Sequence, residues 1–186
     1  MSNISRGMAL AIAAMVAVVA AANYTVQFPI NAWLTWGALI YPVTFLVTDL
    51  ANRAFGPERA RQVVYVGFVA GVALSGVLAP WRIALASGIA FLVGQLLDIH
   101  VFDRLRRASW WKAPFVGSAL GSVIDTALFF GIAFIGVMPL LPQAQGPSVT
   151  TLSLGDLAVK LALALVFLAP FRALMNVIVP VTPRPA

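Results

Sequence analysis

The sequence contains no cysteine and a single histidine, His100. It therefore has no disulfide framework, no thiolate metal site and no cysteine nucleophile, and one histidine cannot form a histidine cluster. Charge is also scarce, because charged residues make up 10% of the chain, against roughly 25% in soluble domains. Since 61% of the residues are hydrophobic, we expect an integral membrane protein.

Motifs for catalysis and nucleotide binding are missing as well. No segment reads Gly-x-x-x-x-Gly-Lys-Ser/Thr, so ATP hydrolysis through that phosphate loop is excluded. Neither the Gly-x-Ser-x-Gly nucleophile elbow nor the His-Glu-x-x-His metal motif occurs. We therefore expect no enzyme activity, no catalytic residue, no cofactor and no metal site.

Long apolar segments separated by turn signals are typical of transmembrane helices. The sequence predicts an all-α protein with six such helices in one bundle, and a single transmembrane domain over residues 1–186. The predicted helices cover about residues 8–28, 34–50, 62–79, 83–102, 114–137 and 157–179. Pro42 and Pro170 should kink the second and sixth helices, because proline removes a backbone donor. The first segment also resembles a signal peptide ending at residues 20–22, but apolar residues continue to Ile30, which favours a retained helix.

The basic residues predict the orientation, because lysine and arginine collect in cytoplasmic loops. With the N-terminus inside, the inner segments carry Arg6, Arg53, Arg59, Arg61, Arg104, Arg106, Arg107, Lys112 and Arg184. The outer turns carry Arg82, with Lys160 close to the outer end of the sixth helix. We therefore expect both termini in the cytoplasm. The net charge of +6 is accounted for by this topology, and we expect no nucleic-acid partner.

Charged residues inside the bilayer are costly, so they mark candidate sites. Asp125 lies about ten residues, on the order of 15 Å, into the fifth helix, and we expect it to face a cavity without an ionic partner. Asp98 and Arg172 both lie roughly 22 Å from the outer face of the membrane. This shared depth makes them candidate partners in either a structural ion pair or a substrate site. Asp49 is predicted near the inner rim, within reach of water and of Arg53.

Three stretches, in order along the chain, resemble the bacterial queuosine-precursor transporter family, also described as a vitamin-uptake-type membrane family. They are Pro-Val-Thr-Phe-Leu-Val-Thr-Asp at 42–49 with Gly56, Glu58, Ala60 and Arg61 following; Arg82-Ile-Ala-Leu-Ala-Ser through Gln-Leu-Leu-Asp at 95–98; and Trp-Trp-Lys-Ala-Pro at 110–114 through Ile-Asp-Thr at 124–126. The resemblance covers most of residues 34–135.

The resemblance implies an inner-membrane transporter that imports 7-cyano-7-deazaguanine or 7-aminomethyl-7-deazaguanine for tRNA modification. A guanine-like edge offers N–H donors to a carboxylate and an oxygen to an arginine or amide, and its flat face stacks on aromatic rings. The candidate substrate-binding residues are Tyr41, Phe45, Asp49, Gln95, Asp98, Asp125 and Arg172. The expected partners are the base and the membrane lipids.

Two other functions stay open on the sequence alone. The chain could be the substrate-capture subunit of an uptake complex driven by a separate ATPase and scaffold. It would then dock through a small-residue face formed by Ala9, Ala13, Ala17 and Ala21, although packing inside the protein is the simpler use of that face. A homo-oligomer is equally compatible. An intramembrane enzyme acting on lipid would need catalytic motifs, which are missing.

Overall fold

The computed structural model describes residues 3–25, 28, 30–31, 33–78, 80–142 and 148–175, and this part of the chain is helical without a named strand. Its helices are α1 (Asn3–Thr25), α2 (Trp36–Ile40), α3 (Val43–Phe55), α4 (Pro57–Leu78), α5 (Trp81–Leu105), α6 (Lys112–Phe134), α7 (Val149–Val166) and α8 (Leu168–Met175). Five segments are long and apolar enough to cross a membrane: α1, α4, α5, α6 and the combined α7–α8 segment. Exposed apolar side chains such as Leu10, Val69 and Leu120 fit a surface that faces lipid.

The predicted second helix is two shorter helices, α2 and α3, separated at Tyr41 and Pro42. Pro42 has no backbone N–H to continue the ladder, and the hydroxyl of Thr44 donates to the carbonyl oxygen of Tyr41 at 2.8 Å. Thr35 caps α2 by accepting from the N–H of Ala38 at 3.3 Å. Tyr41 and Pro42 keep right-handed helical dihedrals, but the bonds that follow are of the i→i+3 type, so the predicted kink at Pro42 is confirmed. The helix also continues beyond residue 50, to Phe55.

The predicted sixth helix begins eight residues too late, at 157 instead of Val149. Ser148 caps α7 by accepting from the N–H of Thr151 at 3.1 Å, and Ser153 bonds within the helix to the carbonyl oxygen of Thr150. Pro139, Pro142, Gly146 and Pro147 had predicted an external loop over residues 139–155, but residues 149–155 already belong to α7. The break between α7 and α8 at Phe167 lies beside Pro170, which confirms the predicted kink. The predicted end of this helix, at residue 179, lies outside the described residues.

The most extensive contact between helices is that of α5 with α6, and glycines bring the two backbones together. A Cβ atom at Gly94 would lie 2.9 Å from the Cβ of Asp125 and 3.1 Å from the carbonyl oxygen of Gly121. A Cβ atom at Gly121 would lie 2.8 Å from the carbonyl oxygen of Gly94. Close approach at small residues is how membrane helices gain packing contacts without a hydrophobic driving force.

Helix α1 packs against α4 through larger side chains than predicted. Met15 and Val19 are buried, and they lie against Gly67 and Gly71 of α4. In contrast, Ala9, Ala13 and Ala17 are exposed. The prediction that the alanine face packs inside the protein is therefore wrong. The glycines of α4 instead accommodate bulky side chains from the opposite face of α1.

Candidate functional site

A buried lysine, Lys160 of α7, forms the centre of the most connected polar network. Its side chain is 4% exposed, and its Nζ donates to Asp125 Oδ2 at 2.6 Å, to Thr126 Oγ1 at 3.1 Å and to Asp156 Oδ2. Asp125 and Thr126 belong to α6, whereas Asp156 lies one turn before Lys160 on α7. The network therefore joins two helices around one ammonium group.

Tyr41, at the break between α2 and α3, connects a third segment to this network. Its hydroxyl donates to Asp125 Oδ1 at 2.7 Å, and the Lys160 ammonium lies 5.1 Å from the centre of its ring. Thr126 donates to Asp156 Oδ2 at 2.7 Å. We call these five residues the Lys160 network. Two carboxylates share one ammonium in it, so its formal charge is negative when all three are ionised.

Asp125 is therefore not the unpaired acid that the sequence predicted. The prediction failed because neither Lys160 nor Asp156 had been considered as a partner of Asp125. With α7 beginning at Val149, Asp156 lies about two turns and Lys160 about three turns inside the helix. The available signal was the spacing itself, since an acid four residues before a lysine in an apolar helix forms an ion pair on one face.

A narrow cleft opens beside Lys160. Its polar lining is Asp49, Ser118, Ser122 and Lys160, and its aromatic lining includes Phe45, Phe167 and Phe171. About 10 Å³ is free within it, which is the room that one water molecule needs. The cleft must therefore widen before it can enclose a flat heterocycle. One carboxylate, one ammonium and several rings around one space are suited to a polar aromatic ligand.

Asp49 and Asp98 form a second buried cluster. The two carboxyl groups are neighbours, with Asp49 3% exposed and Asp98 fully buried. Ser118 donates to Asp49 Oδ2 at 3.1 Å. Apart from the facing carboxyl group, Asp49 Oδ1 and both Asp98 oxygens have no hydrogen-bond partner in the described part of the chain. The prediction that Asp49 lies at a wet rim and pairs with Arg53 is wrong, because α3 turns this carboxyl into the bundle.

The predicted pairing of Asp98 with Arg172 is also wrong. Arg172 is exposed on α8, and its guanidinium lies 4.9 Å from the centre of the Trp110 ring. Asp98 points instead toward α3 and α6, where a Cβ atom at Gly117 would meet its carboxyl group. Equal depth places two residues at one level of the bundle, but it does not say which way each side chain points.

Gln95 and Phe45 are both buried beside the break in the second span. Gln95 Nε2 donates to Thr44 Oγ1 at 2.8 Å, and its Oε1 accepts from the hydroxyl of Thr48. Since both ends of the amide are bonded to α3, Gln95 ties α5 to α3. The Phe45 ring packs edge-on against Tyr41 with centroids 6.4 Å apart and also lines the cleft.

Comparison with known proteins decides the family. A family model described as "Putative vitamin uptake transporter" matches residues 35–80 and 74–175. The Queuosine precursor transporter of Escherichia coli (strain K12) is 34% identical over 187 residues, which cover 87% of this chain and 83% of that protein. The chain belongs to this transporter family. It is thus a multi-pass membrane protein, and no solved structure matches it.

Two further relatives of this transporter family carry related names. The Probable queuosine precursor transporter of Haemophilus influenzae is 37% identical over 153 residues, covering 63% of this chain and 65% of that protein. The Probable queuosine precursor transporter of Bacillus subtilis is 28% identical over 133 residues, covering 56% and 58%. The family match spans the Lys160 network, the cleft and both acids of the second cluster.

Proposed function

We propose that this chain imports a queuosine precursor, 7-cyano-7-deazaguanine or 7-aminomethyl-7-deazaguanine, across the cell inner membrane for tRNA modification. The observation that carries the proposal is the relationship to three proteins named as transporters or probable transporters of queuosine precursors. Nothing in those names or in the described residues favours the alternative of an ATPase-driven capture subunit.

The cleft supplies the chemistry that such a base requires. A guanine-type edge presents N–H donors beside a carbonyl oxygen. In our proposal Asp49 accepts from the N–H donors, and the rings of Phe45 and Phe171 cover the flat faces. Lys160 donates to the carbonyl oxygen in place of its 3.1 Å bond to Thr126, because its three N–H donors are otherwise all engaged. Hydrogen bonds to charged groups are stronger than those between neutral groups, so two of them suit a cargo present at low concentration.

Asp125 acts through Lys160 in this proposal. It does not line the cleft, but it holds the ammonium at 2.6 Å and is itself oriented by Tyr41. We therefore assign Asp125, Tyr41 and Asp156 as positioning residues. Gln95 is left out of the base-binding set because α3 occupies both ends of its amide, and Arg172 because it lies against Trp110.

Asp125→Asn tests this role. The amide keeps the shape of the side chain and removes its charge, while Lys160 retains Asp156 as a counter-ion. We expect the base concentration at half-maximal uptake to rise about ten-fold or more, since a hydrogen bond to a charged group contributes roughly 1.5–3 kcal/mol. The assay uses cells that cannot make the precursor, supplied with the base at low external concentration, with queuosine in tRNA and initial uptake rates as readouts.

The matched control is Asp103→Asn, which changes a carboxylate that is 46% exposed and pairs with Arg106. This variant should take up the base normally. Wild-type protein that reaches the membrane but does not restore queuosine would remove the substrate assignment. Wild-type uptake by Asp125→Asn would leave the transporter in place and remove Asp125 from its site.

We further propose six spans in a single transmembrane domain with both termini in the cytoplasm. Five spans are long helices, and α2 with α3 forms the sixth, since together they extend from Trp36 to Phe55. Arg53, Arg59 and Arg61 at the α3–α4 connection support a cytoplasmic position for that loop.

Reporter fusions test this topology. A fusion after Arg107 should report from the cytoplasm, and a fusion after Gln145 should report from outside, because basic residues are concentrated before the first position and absent around the second. A cytoplasmic signal after Gln145 would show that the number of spans or the orientation is different.

A further inference from the structure

The six acidic residues of the chain divide into two groups. Four carboxylates are paired with a cation: Glu58 with Arg61, Asp103 with Arg106, and both Asp125 and Asp156 with Lys160. Asp49 and Asp98 form no ion pair in the described part of the chain, although they are among its most buried acids. They are left facing each other.

Packing allows the two carboxyl groups little freedom to separate. Asp98 lies against the backbone of Gly117 on α6, and Asp49 accepts its one donor hydrogen bond from Ser118 of the same helix. Two ionised carboxylates held side by side without water or a cation repel each other strongly, and the arrangement becomes favourable when the pair binds one positive charge. The smallest cation that fits between them is a proton.

The surrounding charged groups do not supply that charge. The other acidic and basic side chains on the helices around the pair are Arg53 on α3; Glu58, Arg59 and Arg61 on α4; Arg82, His100, Asp103 and Arg104 on α5; Lys112 and Asp125 on α6; Asp156 and Lys160 on α7; and Arg172 on α8. Lys160 is engaged by Asp125 and Asp156, and His100 and Arg172 are exposed. Arg53 Nε and Arg59 Nη1 are buried without a hydrogen-bond partner in the described part of the chain, but neither guanidinium forms an ion pair with Asp49 or Asp98. No described cation lies within ion-pair distance of Asp49 or Asp98, so the pair depends on a charge from the solvent.

We propose that Asp49 and Asp98 together bind one proton that crosses the membrane with the base, which makes the chain a proton-coupled importer. The inference rests on the proposed function for the identity of the cargo. Asp49 lines the cleft and Asp98 lies behind it, so a proton held on the Asp98 side leaves an Asp49 oxygen free to accept from the base. External water supplies the proton, and the pair returns it to cytoplasmic water after the base has left.

Purified protein in liposomes provides the test. The membrane potential is clamped with potassium and valinomycin, the external pH is set one unit below the internal pH, and labelled 7-cyano-7-deazaguanine is added outside. If one proton accompanies each base, a one-unit gradient can sustain about a ten-fold accumulation. A dye inside the vesicles should report acidification when the base is added, and no acidification without it.

Asp98→Asn is the decisive variant, because it removes a proton-binding carboxylate that does not line the cleft while keeping a group that can donate to Asp49. Accumulation should fall from about ten-fold to about one-fold, and the acidification should disappear. Glu58→Gln, at an exposed carboxylate paired with Arg61, should behave as wild type. If Asp98→Asn does not fold, the acidification and the pH-driven accumulation measured with wild-type protein decide whether the import is proton-coupled.

Exchange between labelled external base and unlabelled internal base at equal pH separates the two claims. Wild-type exchange without pH-driven accumulation or acidification overturns proton coupling and leaves the importer standing. Accumulation driven by a sodium gradient, or wild-type accumulation by Asp98→Asn, also overturns the proton site. The absence of exchange by wild-type protein overturns the proposed function and this inference with it.

Discussion

Lys160→Met should destabilise the protein by about 3–5 kcal/mol and stop uptake. The substitution preserves much of the side-chain volume but removes the ammonium that compensates Asp125 and Asp156. Removing one partner of a buried ion pair leaves an unbalanced buried charge, which costs about this much. We expect the contact between α6 and α7 to be weakened most, because the network joins these helices. The measurement is the denaturation midpoint of the purified protein in detergent, followed by tryptophan fluorescence.

Two further variants separate charge compensation from packing. The triple variant Lys160→Met with Asp125→Asn and Asp156→Asn removes all three charges, so folding should be largely recovered while uptake stays lost. Lys112→Met changes the only other lysine in the sequence, which lies exposed near Trp111, and should change stability by less than about 0.5 kcal/mol. A single Lys160→Met variant as stable as wild type would show that the ammonium does not hold the network together.

Gly121→Val should disrupt the contact between α5 and α6. Even the first added carbon would lie 2.7 Å from the Phe45 ring and 2.8 Å from the carbonyl oxygen of Gly94. A backbone oxygen cannot move away by changing a side-chain rotamer, so the two helices must separate. Overpacking typically costs about 1–3 kcal/mol and occasionally more, and we expect the upper end because a backbone atom is involved.

Gly131→Ala is the matched control, since it lies on the same helix and a Cβ atom there would meet nothing within 4 Å. It should be neutral or stabilising by up to about 1 kcal/mol, because alanine is the better helix former. Membrane abundance and denaturation midpoints of the two variants provide the comparison. If Gly121→Val tolerates heating as well as Gly131→Ala, the close contact of α5 and α6 is not required.

The sequence located the polar interior because burying a polar side chain is costly wherever it occurs. Gln95, Asp98 and Asp125 stood out in apolar segments, and all three are buried. Asp49 also stood out, but it was placed at the wet rim and is buried instead. Proline positions were equally informative, since the missing backbone donor at Pro42 acts locally and needs no knowledge of neighbouring helices. These features depend on one helix at a time.

Partners were harder to predict because they depend on rotation about each helix axis. Asp98 and Arg172 were predicted at one depth, but Arg172 is exposed and lies against Trp110, whereas Asp98 is buried. Lys160 was missed for a different reason. The prolines and the glycine at 139–147 predicted a loop as far as residue 155, and a helix that begins at 157 placed Lys160 near the membrane surface. The helix begins at Val149 behind the cap of Ser148, which places Lys160 in the interior.

The turn at Tyr41 and Pro42 has a mechanical consequence for the transport proposed above. Helix α2 contacts α1 and α7, whereas α3 contacts α4, α5, α6 and α8 as well as α1. Apart from α1, the two halves of this span therefore pack against different helices. A rigid helix would force those helices to move together. At Tyr41 and Pro42 the ladder passes into i→i+3 bonds, and we expect the span to bend at this turn, where the Tyr41 hydroxyl meets Asp125. We therefore expect a movement of α7 that carries Lys160 to widen the cleft while α3 stays packed on α5.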